Sequence, residues 1–360
     1  MQGTRAGTRP SAREEIAAST VAVLAGGRSS EREISLVSAR AILGALAARP
    51  APGETPGPAR CMEIAIEADG AWRVDGERCD PAAAIAMLPR ETIYFIGLHG
   101  GEGENGGVQG FLETASRRYT GSGVGASALC MDKRAARLVA RETGVAVADG
   151  TRIDAHEWSS GKDTALARAV SVSEDGWAVK PNAGGSSVAT TMVDRAEDLA
   201  AAIETALATG DAALVEARIR GTEATCAVLG NAGLGNAAGD LRALTPVEIV
   251  PRAGAYFDWQ QKYAADGAEE LCPPRTIAAP VQERLRSLAA RLHRAIGCDG
   301  YSRSDFIVPE GGSEPVFLEV NTLPGMTDRS LLPRSARAEG MSFRALCLEI
   351  LGFAIERFPR

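Results

Sequence analysis

Tyr301 to Leu332 reads YSRSDFIVPEGGSEPVFLEVNTLPGMTDRSLL, and the fold turns on how that stretch is taken. Arg303 to Val308 has the composition of a strand, Pro309 to Ser313 that of a turn, and Pro315 to Asn321 that of a returning strand. Side chains alternate along a strand, so Glu319 and Asn321 share a face, and antiparallel pairing brings Asp305 beside them. Two carboxylates and an amide oxygen on one face form a hard-oxygen cluster suited to Mg²⁺, which in turn holds phosphates. Asp305 and Glu319 alone would fit an ordinary hairpin with a solvated polar face. The run Thr-Leu-Pro-Gly-Met-Thr after Asn321 adds a fixed turn that brings backbone N–H groups close to the cluster.

As it stands, the string Arg303-x-Asp305, Glu319-x-Asn321-Thr-Leu-Pro-Gly325-Met-Thr and Ser330-Leu331 resembles the C-terminal signature of D-alanine–D-alanine ligases in the ATP-grasp superfamily. The resemblance implies an α/β protein with a Rossmann-like N-terminal domain on an open parallel sheet, and two α+β subdomains that sandwich ATP. It implies ATP and Mg²⁺ (with Mn²⁺ able to replace it) as cofactors and two D-alanines as substrates, joined through an acyl phosphate. Asp305, Glu319 and Asn321 would hold the metal. Arg303 and the Gly325 N–H would stabilise the tetrahedral oxyanion, and Ser330 and Leu331 would receive the second substrate's carboxylate.

Composition agrees with that class. A chain of 360 residues can bury a large core and divides into two or three domains. A net charge of -7 argues against general binding to nucleic acid or acidic membrane. No apolar run approaches the roughly 20 residues that span a bilayer. The cysteines at 61, 79, 130, 226, 272, 298 and 347 form no CxxC pair, the pattern of free thiols in a reducing cytoplasm. Residues 1–19 lack an apolar signal core and read as a flexible tail.

Thr20 to Ala25 is a buried parallel strand, followed by Gly26-Gly-Arg-Ser-Ser-Glu-Arg-Glu33 and a helical pattern from Ile34 to about Leu46. Ser30 and Glu33 fit a capping box, leaving Glu31 outside the cap. The string GGRSSEREISL is similar to the ligase family's N-terminal motif, in which the residue matching Glu31 holds the ammonium of the first D-alanine. Thr92 to Leu98 is a second buried strand, leading into the glycine-rich segment His99 to Gly110 at its carboxyl end, where open α/β sheets bind ligands. The family motif there puts His99 beside the first substrate and Glu104 behind it, with Asn105 departing from the usual Asp. His156 and His293 have no such context.

Ala126 to Thr143 reads as one helix, with Lys133 matching a lysine that contacts nucleotide phosphates in ATP-grasp proteins. Trp177 to Pro181 and Val188 to Met192 read as strands flanking a Gly/Ser loop, unlike a P-loop, which leads into a helix. By resemblance that loop is the ATP-grasp lid, with Lys180 and Ser187 on the nucleotide and Ser186 in the active-site network. Gly184 stands in place of the usual Glu and Ala189 in place of the usual Gly. Glu216 and Glu223 match family acids near the adenine and ribose. Lys262 and Tyr263 match the Lys-Tyr pair of the omega loop, Tyr263 joining a network with Ser186 and Glu31. Expected boundaries are a tail at 1–19, a substrate domain at 20–125, a lid subdomain at 126–222 and a catalytic subdomain at 223–360. The family is often homodimeric. The competing readings are an ATP-grasp ligase for another amino acid or a D-hydroxy acid, and a nucleotide-binding relative without catalysis.

Overall fold

The computed structural model describes residues 10–184, 189–233, 241–251, 268–312 and 314–358. Three sheets, each with its own apolar packing, build the molecule.

The first sheet has the order β4-β3-β2-β1-β5-β6, from β1 (Thr20–Gly26), β2 (Arg60–Ile66), β3 (Trp72–Val74), β4 (Glu77–Cys79), β5 (Ile93–Ile96) and β6 (Arg118–Tyr119). β2, β1, β5 and β6 run parallel, and β3 and β4 add an antiparallel edge. Val21 to Ala25 are fully buried, as a continuous apolar run requires in a sheet covered on both faces. β2 and β3 form an antiparallel hairpin.

The second sheet is antiparallel, with order β7-β10-β8-β9, from β7 (Gly150–Ile153), β8 (Trp177–Pro181), β9 (Thr191–Val193) and β10 (Ala213–Ala217). Trp158 and Ala165 of the helix Ala155–Val170, and Ile203 of the helix Leu199–Leu207, pack with Trp177, Val179 and Val215 of its strands.

The third sheet has the order β14-β13-β11-β15-β16, from β11 (Gly221–Leu229), β12 (Arg242–Ala243), β13 (Val247–Val250), β14 (Glu269–Leu271), β15 (Tyr301–Pro309) and β16 (Val316–Asn321), with β12 pairing off β11. The helix Ala279–Ile296 packs on it through Leu285, Leu288, Ala289, Leu292 and Ile296, a 3.6-residue stripe. Gly297, at φ +78, ends that helix in the left-handed conformation that glycine adopts most readily.

Several expectations change. Residues 12–18 are not tail but a helix, Ala12–Ala18, with a capping box between Ser11 and Glu14 and a buried Ile16. The box expected at Ser30 and Glu33 is absent. The helix Arg32–Ala47 starts without a side-chain cap, because Ser29 accepts the Glu31 N–H at 3.2 Å and donates to the His99 carbonyl at 2.6 Å, tying two loops together. The single helix expected over 126–143 is two, Val124–Met131 and Lys133–Glu142. Asp132 sits between them with extended backbone, and its carboxylate accepts the Ala135 N–H at 2.9 Å.

The cores also cross the expected boundaries at 125 and 222. Ala136 and Ala140 pack with Phe306 and Phe317 of the third sheet, while Ile350, Leu351 and Ala354 of the last helix, Phe343–Arg357, join Leu24 and Phe95 in the core of the first. Of the expected Gly/Ser and omega loops, residues 185–188 and 252–267 lie outside the described residues.

Candidate active site

The β15–β16 hairpin forms as its alternation requires. Arg303 pairs with Asn321 and Asp305 with Glu319, followed by a bulge between Asp305 and Phe306. Asp305 is buried and is the centre of a hydrogen-bond cluster. Arg303 grips it with two nitrogens, Nε to Oδ1 at 2.9 Å and Nη2 to Oδ2 at 2.8 Å. Asn321 Nδ2 donates to Oδ2 at 3.1 Å, and Thr225, its register partner on β11, donates to Oδ1 at 2.5 Å. Bidentate guanidinium–carboxylate pairs fix geometry as well as charge. Among the described residues no three His, Cys, Asp or Glu side chains cluster as a metal site. The donor set here is two carboxylates and an amide. With its nitrogen turned to Asp305, Asn321 keeps its amide oxygen for a cation, and these hard-oxygen donors fit Mg²⁺.

Facing this cluster are two lysines. The break at Asp132 makes Lys133 the first residue of its helix; its Nζ donates to the Gly184 carbonyl at 2.5 Å and lies 3.3 Å from a Glu319 carboxylate oxygen. Lys180, on β8, is diagonal to Glu216 on β10, where side chains on one sheet face meet, and the two form an ion pair of 2.6 Å. Burial pulls the Lys180 ammonium down to about 7, with Glu319 acting in the opposite direction. The second oxygen of Glu216, a residue only 3% exposed, pairs with Arg137. Lys133, Lys180, Glu216, Glu223, Asp305 and Glu319 all line one cavity of about 690 Å³ between the second and third sheets.

A second cluster lies at the carboxyl ends of β1 and β5, which run side by side. His99 is buried, with Nδ1 3.1 Å from the Leu323 carbonyl and Nε2 2.8 Å from the Ser38 hydroxyl. A carbonyl can only accept, so Nδ1 carries the hydrogen and Nε2 accepts from Ser38. Burial lowers the imidazole to about 4, so it is neutral. Glu104 receives the Gly100 N–H at 3.1 Å, and burial, reinforced by Glu31, pushes its carboxyl up to about 8. Gly100, at φ +65, lets the loop pass Glu31, where a Cβ would stand 2.5 Å from the Glu31 carboxylate. Arg303 and Glu319 act electrostatically on Glu104, so this cluster is continuous with the hairpin.

Ser330 precedes the helix Leu331–Ala338, and Leu331 is its half-buried first residue. The Ser330 hydroxyl accepts the Thr327 N–H at 3.1 Å, and a Cβ on Gly325 would come within 2.8 Å of it. Ser186, Ser187, Lys262 and Tyr263 lie outside the described residues. Sequence reasoning misses Thr225, Ser38, Ser29 and Arg137. The first three are found only through tertiary pairing, whereas Arg137 is signalled by standing one helical turn after Lys133.

A mixed first sheet, an antiparallel second sheet and a third sheet that faces it across a lysine- and acid-lined cavity define an ATP-grasp enzyme, the fold shared by solved structures that resemble it. These include VanG D-Ala:D-Ser ligase from Enterococcus faecalis, with a TM-score of 0.78, 28% identity and coverage of 94% of this chain and 99% of that one. Another is D-alanine–D-alanine ligase from Bacillus anthracis complexed with ATP, with a TM-score of 0.72, 25% identity and coverage of 95% and 99%. The family model described as D-ala D-ala ligase C-terminus matches residues 139–352. The D-alanine–D-alanine ligase of Desulforudis audaxviator is 41% identical over 343 residues, covering 94% of this chain and 99% of the relative. That of Halalkalibacterium halodurans is 37% identical over 338 residues, again covering 94% and 99%. The chain belongs to the D-alanine–D-alanine ligase family.

Proposed function

We infer that this protein is an ADP-forming ligase that joins two D-alanines into D-alanyl-D-alanine, a precursor of peptidoglycan. The observation that carries the reading is the facing of Lys133 and Lys180 against Asp305 and Glu319 across one cavity, with Arg303 anchored to Asp305. Lysines on one wall neutralise a phosphate chain, and carboxylates on the other take up its metal.

Glu31 holds the ammonium of the first D-alanine, with His99 beside it. Glu104, held neutral, does not compete with Glu31 for that charge. The first carboxylate attacks the γ-phosphorus of ATP, releasing ADP and leaving an acyl phosphate. Lys133 and Lys180 hold the transferring phosphates, and Glu216 and Glu223 border the base and sugar. Asp305, Glu319 and the Asn321 amide oxygen would hold Mg²⁺ (or Mn²⁺), which when bound draws charge off the phosphate oxygens. The second D-alanine, its carboxylate at Ser330 and Leu331, attacks the acyl carbon through its amine. Arg303 and the Gly325 N–H donate to the developing oxyanion before phosphate leaves, a preorganised arrangement that often dominates catalysis. Seven free cysteines fit work in the cytoplasm. Among the described residues no helix is long and apolar enough to cross a membrane. A homodimer is the assembly we expect.

The test is ADP release with MgATP and D-alanine, with the dipeptide identified by mass spectrometry. Parallel reactions supply D-serine, D-lactate or L-alanine as the second substrate. Dipeptide formation that collapses in Asp305→Ala and Arg303→Ala supports the reading. Product only with another acceptor moves the substrate, and tight ATP binding without any turnover overturns the assignment as an enzyme.

A further inference from the structure

The helix Lys133–Glu142 carries two buried cations one turn apart, Lys133 and Arg137. Residues at this spacing lie on the same face. Lys133 reaches the Gly184 carbonyl and Glu319, whereas Arg137 donates to the Ala148 carbonyl just before β7 and pairs with Glu216 of the second sheet. Arg137 is 6% exposed and Glu216 is 3% exposed, so water does little to screen the pair. The other Glu216 oxygen is 2.6 Å from Lys180.

The charge count of this triad decides what it can do. With Lys180 protonated, two cations share one carboxylate, leaving one net positive charge. Glu216 alone would cancel Lys180. With Arg137 balancing Glu216, the charge of Lys180 remains available to an anion in the cavity. Burial brings Arg137 down to about 10, still cationic at neutral pH.

We propose that Arg137 is a positioning residue for the nucleotide, balancing Glu216 so that Lys180 presents a free positive charge to the phosphates. The inference rests on reading Lys180 as a phosphate-binding group. Arg137 touches neither substrate nor reacting atoms; it acts through Glu216. A charge-balancing role differs from a merely structural one in a specific way: once Glu216 is neutralised, removing Arg137 should cost little further.

The experiment measures MgATP binding by isothermal titration calorimetry, alongside KM for ATP and for D-alanine. Five proteins are compared: wild type, Arg137→Lys, Arg137→Met, Glu216→Gln and the double variant Arg137→Met/Glu216→Gln. Arg137→Met is expected to bind MgATP about tenfold more weakly, about 1.4 kcal/mol. Its KM for D-alanine should stay within about twofold, a difference of less than half the energy of a tenfold change. Arg137→Lys should retain most of the affinity, and the double variant should bind MgATP nearly as well as Glu216→Gln, which by itself reports any contact Glu216 makes to the nucleotide. Unchanged ATP affinity in Arg137→Met overturns the proposal. So does a double variant that binds about tenfold more weakly than Glu216→Gln, or an equal rise in both KM values in Arg137→Met. Should Arg137→Met not fold, the lysine and double variants carry the test, and about tenfold weakening of the first against wild type and of the second against Glu216→Gln would refute it. A wild-type protein that binds no MgATP would overturn the nucleotide reading itself, a failure distinguishable from that of the triad.

Discussion

Thr225 donates its hydroxyl to Asp305 Oδ1 at 2.5 Å from the adjacent strand, where the two residues are register partners. Arg303 and Asn321 supply the remaining hydrogen bonds to this carboxylate, so its orientation is set from three residues on three strands. With Asp305 as the metal ligand we propose, removing groups of this kind behind it should change metal affinity or activity by about 10–100-fold. Thr225→Val keeps the shape and removes the donor. We expect the Mg²⁺ concentration for half-maximal ADP release to rise by at least about tenfold, with little change in the melting temperature. An unchanged Mg²⁺ dependence would mean that Thr225 only packs.

Two buried histidines and the half-buried Glu104 give stability a maximum in pH. Folding holds His99 and His293 at about 4, below the ordinary 6.5, through burial. The unfolded chain therefore takes up protons first on acidification, and the stability these two contribute is lost as pH falls from 6.5 towards 4. Glu104 has the opposite sign. Its folded value of about 8 lies above the ordinary 4.5, so the native state retains a proton that the unfolded chain has released, and stability is lost as pH rises from 4.5 towards 8. Each group contributes a slope of at most about 1.4 kcal/mol per pH unit. Two histidines outweigh one glutamate on the acid side, placing the maximum from these groups near 6.5. Urea midpoints at about pH 5, 6.5 and 8 should show it. Glu104→Gln should flatten the alkaline side and His293→Gln the acid side. Identical slopes in wild type and variants would dispose of the assignment.

Ala189 has φ +56, a left-handed conformation that is easy for glycine but not for alanine. The family's usual residue at this position, as the sequence resemblance indicates, is Gly. An L-residue held there costs about 1–2 kcal/mol, whereas glycine adds roughly 0.5–1 kcal/mol of unfolded-state entropy. Ala189→Gly should therefore leave stability unchanged or raise it by up to about 1.5 kcal/mol. An ordinary Ala→Gly loss in urea unfolding would show that the backbone strain is not expressed in solution.

What was legible in the sequence followed periodicity. The hairpin around Asp305, Glu319 and Asn321 could be read because strand alternation and one turn fix its register within twenty residues of chain. The partners that orient these groups could not. Thr225 is eighty residues from Asp305 in sequence and meets it only because β11 lies beside β15. The break at Asp132 was hidden by helix-favouring residues on both sides, although an Asp able to cap the next turn of chain is a helix-start signal. Nor does composition announce that the last helix would cross over to complete the first sheet's core.

The amino-terminal segment is where sequence and structure diverge with a direct consequence for truncation. Residues 1–19 look dispensable from composition. The structure instead puts Ile16 in the first core and sets Glu15 against Arg118 at 2.5 Å, with both residues buried. Breaking one partner of a buried pair leaves an uncompensated charge and costs about 3–5 kcal/mol, whereas replacing both by apolar groups is often neutral. Arg118→Met alone should therefore lower the unfolding free energy by about 3 kcal/mol, and Glu15→Leu/Arg118→Met should regain most of it. Deleting residues 1–19 removes Ile16 as well and should destabilise at least as much as Arg118→Met. The measurement is urea unfolding of all three proteins against wild type. A deletion variant with an unshifted midpoint would mean that the helix Ala12–Ala18 contributes nothing to the fold, and that the buried Arg118 is satisfied without it.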